Sequence, residues 1–411
     1  MFKLTLLTLL LTSTLSFTSA TFPSHKIRGV NLGSLFIVEP WMSRRTWRDM
    51  GCGDAASEWD CVVALGQDKA NTVFQKHWDT FITADDFDKM KEYGLNTVRI
   101  PVGHWFVEDT IAPGESWPRD GMKYLDNVVG IAASKNISVI LDLHGAPGVQ
   151  VPNSAFTGHT LPGAGFYSPP NYDRAHTFLR NMTERAHTHA SYASTFMFQV
   201  LNEPEHNHDS LVTDYYPKAY QTIRDAEADL KTPSLDRLTV QMMDSSWGAG
   251  NPRRNLPKGA TDLAFDIHRY LTYSSTPATK ADYLRASCTD AFDSSDNDND
   301  NDNDNDNNDN DNDNDNDNDN DKPLVIGEWS LAIKQDSEWS NEFSPTKEEN
   351  HDWYRKWWAA QVQAYEKHKG WVMWSWKTEL GGDWRWSYSG AVEAGIIPKN
   401  QFGKVKAMAK C

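Results

Sequence analysis

Ser138-Val139-Ile140-Leu141-Asp142-Leu143-His144-Gly145 is an apolar run that closes on an acid, an imidazole and a glycine. A short run of this kind, bounded by polar segments, fits a strand over 138–144 buried on both faces. A helix-like period precedes it over residues 122–135 and another follows over 172–189, after which the pattern restarts with a strand over 196–202. Upstream, the same unit is legible in strands over 27–32 and 97–101. The second of these follows Thr83-Ala84-Asp85-Asp86, which predicts a capping box opening a helix with Phe87, Met90 and Tyr93 on one face and Gly94 as its stop. Downstream come strands over 238–242, 263–268, 324–327 and 371–376, with helices over 215–230, 280–286 and 349–368. Residues 243–262 carry no helical period. Each return to a parallel neighbour needs a crossover of a dozen or more residues, so alternating strands and helices imply parallel pairing. Eight such units predict an α/β fold, a (β/α)8 TIM barrel, as a single domain over residues 21–411. A doubly wound open sheet is the alternative, but no Gly-x-Gly-x-x-Gly follows the first strand.

The chain has 411 residues, 39% hydrophobic and 24% charged, enough for a sizeable core and too polar for a multi-span membrane protein. Its formal charge of −17 has a local source: residues 296–321 alternate Asp and Asn and hold 13 Asp, without which the balance is −4. This tract has nothing to bury and is expected to be a disordered insertion. Calcium binding by it is the sharper reading, but it lacks the glycine turn and bidentate Glu of a calcium loop. No basic stripe exists, so no nucleic-acid partner is expected. Residues 1–20, with Lys3, an apolar run over 4–11 and Thr18-Ser19-Ala20, read as a secretory signal. A secreted protein, extracellular or wall-associated and free of the membrane after processing, follows. Asn136 and Asn181 head sequons and are expected to carry glycans. Cys52, Cys61, Cys288 and Cys411 allow three disulfide pairings, of which Cys52 with Cys61 and Cys288 with Cys411 is preferred. No metal and no cofactor are expected, because Cys-x-x-Cys and ligand-spaced His are missing.

In a (β/α)8 barrel the reactive groups stand at the C-terminal ends of the strands. Those ends are polar here: Arg99, Asp142 with His144, Asn202 with Glu203, His268 with Tyr270, Glu328, and Trp374 with Trp376. A lone polar residue at a strand end is ordinarily structural, whereas six at one relative position are hard to attribute to packing. Glu203 and Glu328, after strands four and seven, are a carboxylate pair of the kind that glycosidic bond cleavage requires. Glu203, beside the neutral Asn202, suits the acid/base, and Glu328 suits the nucleophile because Arg99 and Tyr270 can stabilise its ionised form. Trp41, Trp105, Trp247, Trp376, Trp384 and Trp386 fall at strand ends or in the loops beyond and are candidate platforms for sugar rings, whereas Trp357 and Trp358 lie in a helical pattern and read as core.

Arg28-Gly29-Val30-Asn31-Leu32-Gly33, Glu39-Pro40-Trp41, Arg99-Ile100-Pro101-Val102-Gly103, Asp142-Leu143-His144-Gly145, Asn202-Glu203-Pro204, His268-Arg269-Tyr270, Gly327-Glu328-Trp329-Ser330 and Trp374-Ser375-Trp376-Lys377 together resemble glycoside hydrolase family five. The stretch over 31–41, with Ser57-Glu58-Trp59-Asp60-Cys61, is most similar to the fungal endo-β-1,6-glucanases and less so to their exo-β-1,3-glucanase relatives. The resemblance implies a retaining hydrolase of β-glucan acting as a monomer, with Glu203 as acid/base and Glu328 as nucleophile. It implies that Arg99, His144, Asn202, His268, Tyr270 and Trp376 surround the cleaved sugar and that Glu39 binds a sugar hydroxyl. A non-catalytic wall-glucan-binding protein is the remote alternative, disfavoured by the presence of both carboxylates.

Overall fold

The computed structural model describes residues 22–274, 278–289, 323–409 and 411. Eight parallel strands close in sequence order: β1 (Ile27–Asn31), β2 (Thr97–Gly103), β3 (Ser138–Gly145), β4 (Thr195–Gln199), β5 (Thr239–Met243), β6 (Leu263–Arg269), β7 (Leu324–Trp329) and β8 (Gly370–Met373). β8 pairs back onto β1 with Val30 beside Met373, so the expected (β/α)8 barrel is the observed one and the open sheet is excluded.

Local signals explain where the outer ring begins. The helix Ala84–Glu92 starts with the expected box, the Thr83 N–H donating to Asp86 Oδ2 at 2.9 Å, and buries Phe87 and Met90. Helices Met122–Ser134, Pro169–Thr188, Tyr216–Asp229, Lys280–Thr289 and Glu348–Tyr365 fall where the periodicity placed them. Residues between β5 and β6 form only a single 3-10 turn, Ser245–Trp247, in keeping with the missing period. The insertion after β1, unresolved by pattern, folds as helices Arg44–Asp49, Glu58–Leu65 and Gln67–Thr80.

Ile27, Ile140, Met197, Ala264, Val325 and Val372 form one buried cluster to which six of the eight strands contribute a side chain, as only a barrel interior allows. That layer fills the interior near the strand starts, and the polar groups stand towards the strand ends. Trp357 and Trp358 are fully buried, as expected. Both preferred disulfides are formed, Cys52–Cys61 and Cys288–Cys411. Asn136, in the turn after Met122–Ser134, and Asn181, on the outer face of Pro169–Thr188, are both exposed. The expected secretory signal over 1–20 and the Asp/Asn tract over 296–321 lie outside the described residues. Among the described residues no helix is long and apolar enough to cross a membrane.

Differences from the sequence reading at three strand ends bear on the site. β4 stops at Gln199, so Asn202 and Glu203 stand on the turn beyond it, with Glu203 in the left-handed region at φ 38°. A non-glycine residue held there costs about 1–3 kcal/mol, a strain typical of functional positions. β7 continues through Glu328 to Trp329, and β8 stops at Met373, three residues before Trp376.

Candidate active site

Arg99 organises the strand ends. Lying on β2 and fully buried, it uses every arm of its guanidinium: Nε donates to Gln199 Oε1 (2.9 Å), Nη1 to Asn31 Oδ1 (2.8 Å) and Glu328 Oε1 (2.8 Å), and Nη2 to Asn202 Oδ1 (2.7 Å). Nη2 also pairs with Asp142 Oδ2 at 3.0 Å. Burial opposes its charge, but Asp142, Glu328 and Asp266 together raise its pKa further. Two buried carboxylates therefore depend on one cation, an arrangement whose disruption by removal of one partner costs about 3–5 kcal/mol.

Glu328 receives donors on both oxygens, Arg99 on Oε1 and the Tyr270 hydroxyl on Oε2 at 2.7 Å. His268 faces the other carboxyl, its Nδ1 2.6 Å from Glu203 Oε1 and 3.6 Å from Glu328 Oε2, while its Nε2 is 3.3 Å from Asp266 Oδ2. Asp266 is itself fixed by the Gly327 N–H at 2.8 Å, and a Cβ on Gly327 would fall 2.2 Å from that carboxylate, so only glycine fits. One ligand-type atom each from Glu203, His268 and Glu328 lies within 4.8 Å of the other two. The trio could span a cation by distance, but a carboxylate on each ring nitrogen holds His268 as a cation instead. Burial lowers the His268 pKa, and Glu328 and Asp266 outweigh that effect and push it up to about 10.

Burial raises the Glu203 pKa, but the hydrogen bond and charge of His268 outweigh it and hold the carboxyl below its ordinary value. Burial, reinforced by the facing charge of Glu203, lifts Glu328 above its own against the pull of His268 and Arg99. The neighbours differ from those that the sequence suggested. Sequence adjacency made Asn202 the neighbour of Glu203, whereas in space Asn202 belongs to Arg99 and the neighbour of Glu203 is a cation.

His144 is oriented by Asp142 Oδ2, 2.7 Å from its Nδ1, and stacks on Trp374 at 5.5 Å and 11°. Glu39, in the loop after β1, accepts the Trp41 indole N–H at 2.8 Å. Burial pushes its pKa up to about 7, opposed by His144 and the Trp41 bond. Its loop is held from behind by Glu58, whose buried Oε1 accepts the Val38 N–H at 2.7 Å. This gives the Ser57–Cys61 motif a structural role.

Two carboxyls, one imidazolium and one guanidinium stand together here, with Trp247 against His268 and Trp386 between Tyr270 and Trp41, a set suited to cleaving an acetal. The sequence model of the family described as cellulase (glycosyl hydrolase family 5) matches residues 64–380. The chain belongs to glycosyl hydrolase family 5. Glucan endo-1,6-beta-glucosidase B of Emericella nidulans is 43% identical over 382 residues, covering 92% of this chain and 86% of that protein. Probable glucan 1,3-beta-glucosidase A of Aspergillus clavatus is 26% identical over 406 residues, covering 89% and 86%. The crystal structure of rutinosidase from Aspergillus niger superposes with a TM-score of 0.68 at 18% identity, covering 91% of this chain and 98% of that one, a likeness of fold.

Of the residues singled out in sequence, the structure brings Glu203, Glu328, Glu39, Arg99, His144, Asn202, His268 and Tyr270 to this family 5 barrel mouth and leaves Trp376 out. Trp376 is 1% exposed, donates to Asp86 Oδ1 at 2.8 Å and packs on Tyr93, both contacts with the outer helical layer. With β8 ending at Met373, Trp374 takes the position beside His144. Trp105 and Trp384 are likewise core. Trp105 stacks on Trp117 at 4.0 Å, and Trp384 meets Tyr354 edge-on at 4.8 Å. Asn31, Gln199 and Asp266 were not foreseen as site residues, and Asp142 was noted as a polar strand end without a role. For the two acids a signal existed: each precedes a site His by two positions on one strand, which puts both side chains on the same face.

Proposed function

We propose that the protein is a secreted, retaining endo-β-1,6-glucanase in which Glu328 is the nucleophile and Glu203 the acid/base. The observation that carries the chemistry is the spacing of the two carboxyls, whose nearest oxygens lie within 4.8 Å. Retaining glycosidases keep their carboxyls about 5–5.5 Å apart, whereas inverting ones need about 6.5–9.5 Å to admit a water. The roles follow from the donors. Arg99 can only donate towards Glu328, and the Tyr270 hydroxyl donates to its other oxygen, contacts that favour the anion against the burial that opposes it, while the one described partner of Glu203 is His268, which can give a proton.

In the first step a Glu328 oxygen bonds to the anomeric carbon as the C1–O bond breaks, and the leaving oxygen takes the proton of Glu203. The raised pKa of His268 makes it the source of that proton, which crosses the 2.6 Å to Glu203 without changing the charge of the cluster. Glu203, now anionic, deprotonates a water that attacks C1 and frees Glu328. Proton transfer of this kind contributes about 10²–10⁴-fold to rate. With Asn202 Oδ1 taken by Arg99, a sugar hydroxyl would meet its amide nitrogen; Glu39 and His144 are the further hydroxyl partners, and Trp41, Trp247 and Trp386 border the path of the chain.

The β-1,6 linkage is supported by the 43% identity to a named endo-1,6 enzyme across nearly the whole chain, against the lower likeness to a 1,3-glucosidase. Secretion is supported by the signal-like residues 1–20 and by two disulfides that use all four cysteines. Every group in the cluster comes from one chain, so a monomer suffices. Glu328→Gln is expected to abolish turnover of all substrates, and Glu203→Gln to abolish it for glucan while sparing the first step on an activated aryl glucoside. Equal loss on the activated substrate in both variants would leave the assignment unsupported, and a first step spared in Glu328→Gln but not in Glu203→Gln would reverse it.

A further inference from the structure

Trp339 is 56% exposed, in a chain whose other tryptophans are mostly core. It belongs to the loop that leaves β7 just after Glu328 and therefore stands on the barrel face that holds the carboxyls. An exposed indole is ordinarily a free rotor, but this one is pinned. The Arg385 guanidinium lies over one ring face, 5.0 Å from the centroid, and the indole Nε1 donates to Glu338 Oε1 at 2.9 Å. Arg385 is itself fully buried and immobilised, with two 2.7 Å bonds to Asp383 and one of 2.8 Å to the Glu338 carbonyl. The next residue, Trp386, lies 5.5 Å from Tyr270, which touches Glu328. A short rigid path thus links the ring to the reacting centre.

We infer that the free face of Trp339 is an outer platform for a glucosyl unit of the same chain, beyond the sugars held at the carboxyl pair. Holding a large apolar face towards water gains nothing in the unbound protein. A pyranose ring has an apolar C–H face that matches it, and a 1,6-linked chain, with an extra rotatable bond in each linkage, gains most from a second fixed contact. This rests on the glucanase reading and deepens it.

The test compares kcat/KM on a long β-1,6-glucan with that on an aryl β-glucoside too short to reach the rim. Trp339→Ala is expected to lower the polymer-to-aryl ratio about three- to tenfold, the range set by one aromatic contact. Trp339→Phe should restore most of it. Leu235→Ala, another exposed apolar side chain, should leave the ratio as in the wild type. An unchanged ratio in Trp339→Ala, or equal loss on both substrates, overturns the platform. Failure of the wild type to cleave β-1,6-glucan would instead count against the linkage, and the same ratio on whichever glucan it does cleave then decides the platform.

Discussion

Raising the pH from 6.5 to 10 is expected to destabilise the fold through one side chain, His268. Its folded pKa, pushed up to about 10, lies above the ordinary 6.5 of an unfolded chain. Below 6.5 the imidazole is protonated in both states and its full contribution is present. Above 6.5 the unfolded chain releases the proton while the folded one keeps it, so the contribution is lost progressively up to pH 10. The span of about 3.5 units corresponds to at most about 5 kcal/mol, and the side chain is fully buried, so solvent screening takes little from it. Glu39, raised to about 7, also loses stability as pH rises, but between 4.5 and 7, a window that barely overlaps. Urea unfolding with the disulfides intact, at pH 6.5, 8 and 9.5, measures the slope. His268→Gln, neutral throughout, should be less stable at pH 6.5 and nearly flat from pH 7 to 10. Parallel slopes in wild type and variant would refute the imidazolium and with it the proton source assigned to Glu203.

The reassignment at β8 separates two neighbours. Trp376→Phe removes the bond to Asp86 and should cost about 1–2 kcal/mol of stability with turnover within about twofold, whereas Trp374→Phe, beside His144, should lower kcat/KM on glucan about tenfold or more at nearly unchanged stability. Deletion of residues 296–321 should leave turnover of a neutral glucan within about twofold, because β7 starts at Leu324 on the face opposite Glu328 and surface loop length costs little. A tenfold fall at preserved thermal stability would mean that the tract reaches the cleft.

The barrel was legible because buried parallel strands read as apolar runs and their crossovers as amphipathic ones, a contrast that survives without any tertiary knowledge. Two helices of the insertion after β1 were not, because Arg44–Asp49 and Glu58–Leu65 are short and lean on a disulfide and on Glu58 rather than on a periodic apolar face, whereas Gln67–Thr80 buries Ala70, Phe74, His77 and Trp78 on one face and its period went unread. The carboxyl pair was legible from position alone. Its proton balance was not, since the partner of Glu203 is 65 residues away, at His268, and chain adjacency suggested Asn202. Trp376 misled for a related reason. The strand was carried three residues too far, and an aromatic that faces the helical layer was read as facing the cleft.

Retention by the carboxyl pair on a β-1,6-glucan is the central claim, and proton NMR of the first minutes of hydrolysis tests it most directly. The expected spectrum shows β-anomeric reducing ends on oligosaccharides of several lengths, with the α signal growing in only by mutarotation. Initial α-anomers would contradict the nucleophile at Glu328, and glucose as the sole early product would contradict cleavage within the chain.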